Sequence, residues 1–264
     1  MQFHKSNVYF YPMIKVVVLG AGNVGTHLCR SLEANPEVLL LQNYNRKGES
    51  ISDCNVEVTY NLANIAAADV YIVTYNDNAL VEASEQLARL RGLVVHTSGA
   101  TSINVFSTLK NYGVFYPVQS FKKELAVNFL EVPIAIEANT DSNKNILLNL
   151  AKSISNLTYQ INSKQRSALH VSAVFANNFS NFMYTQSQNI CKDYGIDFDI
   201  LKPLIKETIN KLDVSDPENI QTGPAIRKDS KTIERHKILL KKEAQKELYN
   251  TLTQAIQKYY EKEL

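Results

Sequence analysis

The chain has no tryptophan, only three cysteines and three methionines, and no apolar run near the roughly 18 to 20 residues of a membrane-spanning helix. Cys29, Cys54 and Cys191 lie far apart and form no C-x-x-C pair. That spacing fits neither a disulfide framework nor a cysteine zinc site, and it suits a reducing compartment, so a cytoplasmic address is expected. An excess of one charge is also missing, with 28 basic residues against 26 acidic. No overall field would draw the protein to nucleic acid or to a membrane surface, and a small molecule is the expected partner. No His/Cys/Glu spacing suggests a metal, and neither G-x-S-x-G nor a Cys/His signature suggests a covalent nucleophile. The opening MQFHKSNVYFYP holds no apolar stretch of signal-peptide length. Residues 1–12 are read as an extension without a function of its own.

What is present is a chain of 264 residues with 45% hydrophobic content, enough for a sizeable core. From Ile14 to about Ile161, short β-branched runs alternate with stretches of helical spacing. The runs IKVVVLG, VLLLQNY, VEVTY, DVYIVTY, GLVVHTS, GVFYPV and VPIAIEA are expected strands. Helices are expected over Asn23–Ala34, Ala79–Leu90, Ser102–Lys110 and Ser142–Ile154. Such alternation predicts an α/β fold, a doubly wound and mostly parallel sheet, over 13–161. After Ser163 the β-branched runs stop, and an all-α domain over 162–264 is expected, broken near Gly195, at Pro217 and at Gly223-Pro224. In ALHVSAVFANNFSNFMY apolar residues fall on both helix faces, so this helix is expected to be buried on nearly all sides, in a domain core or a subunit interface. A homodimer is the expected assembly.

Gly20-Ala21-Gly22-Asn23-Val24-Gly25 lies between the first strand and the first helix. In that context the first glycine permits a tight turn, the second lets the backbone approach a pyrophosphate, and the third allows helix and strand to pack closely. A Rossmann-type dinucleotide site is therefore expected. At the end of the second strand, where an NAD-binding chain carries an acid for the ribose 2′-hydroxyl, this one reads Asn43-Tyr44-Asn45-Arg46-Lys47, with no acid before Glu49. Arg46 could grip a 2′-phosphate, with Asn45 and Lys47 or Ser50 adding contacts, so NADP is the expected cofactor. The alternative is that Arg46 and Lys47 are ordinary solvated loop cations.

Ligands of such sheets sit beyond the carboxyl ends of the strands. Thr74 and Tyr75, followed by Asn76 and Asp77, end the fourth strand, and His96, Thr97, Ser98 and Gly99 end the fifth. The last four could hold a substrate carboxylate or carbonyl oxygen; equally, Ser98 could be a helix cap and His96 a strand-end histidine satisfied by backbone. On the first long helix, Lys164, His170, Asn177 and Asn178 are polar within an apolar pattern. His170 and Asn177, seven apart, would share a helix face, with His170 as proton donor and Asn177 fixing a carbonyl or amide. A core histidine bonded to a loop is the other reading.

The segments GAGNVG, NYNRKG, HTSGATS, YPVQSF, ALHVSAVFANNFSNF and TGPAIRKDSKTIERH together resemble an uncharacterised group labelled NADP oxidoreductases, with a Rossmann-like domain followed by a helical domain of unknown function. The chain is more distantly similar to pyrroline-5-carboxylate reductase, 6-phosphogluconate dehydrogenase and the β-hydroxyacid dehydrogenases, whose helices dimerise. The last of these carry a catalytic lysine on the first long helix, an asparagine one turn on, and a serine-glycine loop for the substrate carboxylate. Here His170 stands near the lysine's place, Asn177 about two turns on, Lys164 near the helix start, and Ser98-Gly99 at the loop. The resemblance also draws in Thr222, Gly223, Pro224, Arg227 and Asp229, with His236 beyond. Arg227 could clamp an acidic substrate, or Arg227 and Asp229 could pair to fix a helix start. The implied activity is hydride transfer between NADPH and a carbonyl or imine of a small anionic metabolite; the alternative is a non-catalytic NADP(H)-binding or sensing protein.

Overall fold

A computed structural model describes residues 13–261, so the reading of residues 1–12 lies outside the described residues. Eight strands form one sheet: β1 (Ile14–Leu19), β2 (Val38–Tyr44), β3 (Glu57–Thr59), β4 (Val70–Val73), β5 (Leu93–His96), β6 (Tyr112–Pro117), β7 (Ile134–Ala138) and β8 (Thr158–Gln160), in the order β3-β2-β1-β4-β5-β6-β7-β8. Every pairing is parallel except β6 with β7. All seven expected strands are present; β8 is the eighth, three residues too short to leave a β-branched run. The reversal at β7 is what "mostly parallel" allowed for.

Strands β1 and β4 are apolar at successive positions because both faces are covered. Val16 and Val18 point to one side and pack with Leu28 and Leu32 of α1 (Asn23–Glu33) and Leu147 and Leu150 of α3 (Asp141–Ile154). Val17 and Leu19 point to the other side, with Leu80 and Ala83 of α2 (Leu80–Gln86) and Phe106. One expectation fails here: the helix predicted over 102–110 is only a 3-10 turn, Ile103–Phe106, capped by Ser102. Ile103, Asn104, Val105, Ser107 and Thr108 are weak helix formers, and nothing local extends the turn.

Beyond β8 the described elements are all helical, among them α4 (Ser163–Ala173), a π-helical segment (Val174–Phe179), α5 (Ser180–Asp193), α6 (Lys202–Lys211), α7 (Ser230–Leu239) and α8 (Glu243–Tyr260). Gly195 and Gly223 adopt positive φ at the expected breaks. The chain divides into two compact units between Ala176 and Asn177. Among the described residues no helix is long and apolar enough to cross a membrane. The helix run 168–184 is not the buried rod that its pattern suggests within a single chain: Val171 is 56% exposed, Phe175 65% and Phe182 49%.

Candidate functional site

Strands β1, β2, β4, β5 and β6 of the first unit end at one edge of the sheet, and most of the candidate residues gather there. Backbone bonds hold the edge together: Thr74 N–H donates to Leu19 O at 2.8 Å, Thr97 N–H to Val73 O at 3.2 Å, and Gly20 N–H to Tyr44 O at 2.7 Å.

The glycine loop has the shape its sequence implied. Gly20 has φ +115°, and a Cβ there would run into Thr74 Oγ1. At Gly25 a Cβ would strike Gly20 O and lie 2.7 Å from Thr74 Oγ1. Gly22 differs: no described residue comes within 4 Å of where its Cβ would be. It is the N-cap of α1 and supplies no side-chain cap, so the first-turn N–H groups of Asn23, Val24 and Gly25 begin the helix beside open space. That is the arrangement an anion requires. Ala21 and Val24 pack against the core from within the loop.

At the end of β2 the asparagines shape the loop. Buried Asn43 donates to Val18 O and to Gly20 O at 2.9 Å, tying β2 to the glycine turn. Asn45, also buried, donates to Asn43 Oδ1 and Glu49 O and accepts from Glu49 N–H. Its amide is therefore committed to the loop that carries Arg46 and Lys47. Both cations are exposed, and Lys47 lies 3.6 Å from Glu49 on the surface. Burial holds the Tyr75 phenol well above its usual range, while the nearby Arg46 charge acts in the opposite direction.

At the end of β5, His96 is fully buried and accepts Ser98 N–H on Nδ1 at 3.2 Å; among the described residues nothing lies within hydrogen-bond distance of Nε2, and the Ser102 backbone is its polar neighbour. Burial, with Arg166 adding to it, pushes its pKa down to about 4. His96 is therefore neutral near pH 7 and does not act as an imidazolium acid there. Ser98 Oγ accepts Ala100 N–H at 3.1 Å and Thr101 N–H at 2.9 Å, which closes the turn and leaves the hydroxyl hydrogen as its free donor. Gly99 is packed against two rings: a Cβ would lie 2.6 Å from His170 Nδ1 and 2.8 Å from Tyr116 Cζ.

His170 lies on α4 with Nδ1 3.1 Å from the Tyr116 hydroxyl. Sequence reasoning missed Tyr116; its only signal is the YPVQSF segment ending β6. It also missed Arg166, one turn before His170 and 1% exposed. Arg166 pairs with Glu137 of β7 and bonds Ser163 Oγ and Thr101 O, fastening α4 to the turn after β5. Lys164 is exposed in the first turn of α4. Asn177 lies in the second unit, within the π-helical segment. The seven-residue spacing from His170 therefore does not run through two regular α-helical turns, which is what the shared-face argument assumed. Arg227, also in the second unit, is exposed, and Asp229 caps α7 by accepting Thr232 N–H and Oγ1–H. His236 Nδ1 meets the Tyr249 hydroxyl at 2.9 Å.

Residues 132–256 match a family model described as a domain of unknown function (DUF2520). A crystal structure from Bacteroides fragilis, described as a "putative NADP oxidoreductase", is 36% identical, with a TM-score of 0.86 over 93% of this chain and 98% of that one. This chain belongs to the same family. A Thermotoga maritima protein is 20% identical, with a TM-score of 0.68 over 94% of this chain and 99% of that one. A Plasmodium falciparum pyrroline carboxylate reductase with NADP bound is 13% identical, with a TM-score of 0.59 over 92% and 98%; that likeness speaks for the fold. No curated protein matches the sequence.

Proposed function

We propose that the protein is an NADP-dependent oxidoreductase that moves a hydride between NADPH and the carbonyl or imine carbon of a small anionic metabolite. The observation that carries this is the pairing of an open, uncapped helix start at Gly22 with a second strand followed by Arg46 instead of an acid. The relationship to the Bacteroides fragilis protein supports the same cofactor. Bound at this edge, NADPH supplies the hydride.

The first-turn N–H groups of α1 receive the pyrophosphate, Gly20 and Gly25 keep the turn tight, and Arg46, with Lys47 beside it, takes the 2′-phosphate. Asn45 holds that loop in shape. Thr74 joins the ends of β1 and β4, and Tyr75 offers an apolar ring. The turn His96-Thr97-Ser98-Gly99 faces the reacting end. His170 gives or takes the proton at the substrate heteroatom. Lys164, exposed in the first turn of α4, contributes a polar contact. We further propose that the protein is a homodimer through its exposed helical faces, working in the cytoplasm, where its free cysteines stay reduced.

Calorimetric titration with NADPH and NADH, on the wild type and Arg46→Ala, tests the reading. NADPH should bind the more tightly. Losing a charge-assisted phosphate contact should weaken it by roughly 10- to 100-fold while leaving NADH unchanged. If neither dinucleotide binds at millimolar concentration, the reading fails.

A further inference from the structure

A neutral imidazole has one donor and one acceptor nitrogen, and which is which is set by the partner that one of them finds. For His170 that partner is Tyr116. The hydroxyl is 3.1 Å from Nδ1, and the two rings meet edge to face at 72°. Tyr116 is 8% exposed and packs with Val114 and Ala135 at the end of β6, so it is a fixed post. Gly99 seals the same side of the imidazole, because its missing Cβ is what lets Nδ1 and Cγ come so close. One turn earlier on α4, buried Arg166 is bonded to Glu137, Ser163 and Thr101 and fixes the helix that carries His170. The Nδ1 side is therefore closed and Nε2 is the nitrogen left for a ligand.

We propose that Tyr116 is a positioning residue that keeps a hydrogen on His170 Nε2 and aims that nitrogen at the substrate. The proposal deepens the reading above and rests on it for the role of His170 as proton donor. A phenol is the better donor and an imidazole nitrogen the better acceptor, so the hydroxyl donates to Nδ1 of the neutral ring and the ring's own hydrogen sits on Nε2. When the ring is an imidazolium, the hydroxyl turns and accepts from Nδ1–H, and Nε2 still carries its hydrogen. In the reducing direction the imidazolium Nε2–H bond breaks and the new bond to the substrate oxygen or nitrogen forms, leaving the ring hydrogen on Nδ1 against the Tyr116 oxygen; a solvent proton taken up at Nε2 and loss of the Nδ1 hydrogen restore the resting Nε2–H ring. Tyr116 is not itself the acid. Burial raises its pKa, with Arg166 opposing, and a phenol that stays protonated near neutrality does not pass through tyrosinate.

The test needs no substrate. In ¹⁵N spectra of the full chain above the imidazole titration range, with His170 assigned by difference from His170→Gln, Nδ1 should appear as an unprotonated, hydrogen-bonded acceptor and Nε2 as protonated. In Tyr116→Phe the Nδ1 signal should move to that of a nitrogen without a donor. NADPH affinity, titrated alongside, should stay within about twofold, since Tyr116 is on β6, which β4 and β5 separate from β1 and its glycine loop. Nδ1 found protonated in the neutral wild type, or ring signals unmoved in a folded Tyr116→Phe, overturns the proposal. Should Tyr116→Phe not fold, His170→Gln serves as the reciprocal variant: the Tyr116 ring signals must change when their acceptor is lost, and unchanged signals overturn the proposal. Failure of NADPH to bind would sink the oxidoreductase reading and leave the ring spectra to judge this one separately.

Discussion

Arg166 and Glu137 form an ion pair whose cationic side chain is 1% exposed and whose acid is 16% exposed, joining the first turn of α4 to β7 inside the first unit. Removing one member of a buried pair strands the other charge. Arg166→Met should therefore cost about 3–5 kcal/mol, and the double variant Arg166→Met/Glu137→Leu distinctly less than the sum of its singles. Urea unfolding of the four proteins measures this. Additive costs would mean that the pair is not a unit.

Two glycines of the phosphate loop should respond oppositely to alanine. At Gly22 the backbone is ordinary, with φ −72°, and the space is open. Gly22→Ala should leave the melting temperature nearly unchanged and sharply reduce NADPH affinity, because the methyl occupies the room that a pyrophosphate needs. At Gly25 the methyl strikes Gly20 O and Thr74. Gly25→Ala should destabilise the fold by about 1–3 kcal/mol, the usual cost of overpacking. Thermal melts with and without NADPH separate the two cases; a Gly22→Ala protein with intact affinity would remove the pyrophosphate from this loop.

Burial lowers the pKa of His96 in the folded chain to about 4, from 6.5 for an ordinary imidazole. Between those values the unfolded state binds more protons, so stability rises with pH across the window. The contribution is present in full above pH 6.5 and fades as pH falls toward 4, reaching about 3 kcal/mol for a shift of this size. Urea midpoints between pH 7 and pH 4 should fall more steeply in the wild type than in His96→Gln. Parallel curves would assign the acid sensitivity to other groups.

Apolar side chains stand exposed on the helices of the second unit: Phe182 at 49%, Leu204 at 63% and Ile209 at 54%. Sedimentation equilibrium should give a dimer, and Phe182→Asp or Leu204→Asp should shift it toward monomer by placing a carboxylate in an apolar contact. A monomeric wild type at micromolar concentration would leave the exposed faces without this explanation.

Much of the fold was legible because its causes are local. The unbroken β-branched run in IKVVVL marks a strand buried on both faces, three-four spacing in NVGTHLCRSLE follows from where successive Cβ atoms point, and Gly20 follows from a φ that side chains avoid. The absence of an acid after β2 was equally plain, as one strand end and the residues beside it settle it. Failures came where neighbours decide. Ser102–Lys110 shows helical spacing but only one turn forms, and β8 exists because β7 lies beside it.

The candidate site divides the same way. By itself the sequence determined a glycine turn ahead of a helix, a cationic loop after the second strand, and the alternation that puts both at one sheet edge. Only the tertiary structure decided that His96 is buried and neutral, that Asn45 holds its own loop, and that His170 meets Tyr116, 54 residues away in the chain. Periodicity records which way a side chain points. It carries no information on which distant side chain arrives opposite, because that depends on how the crossovers stack β6 and α4 around the turn after β5.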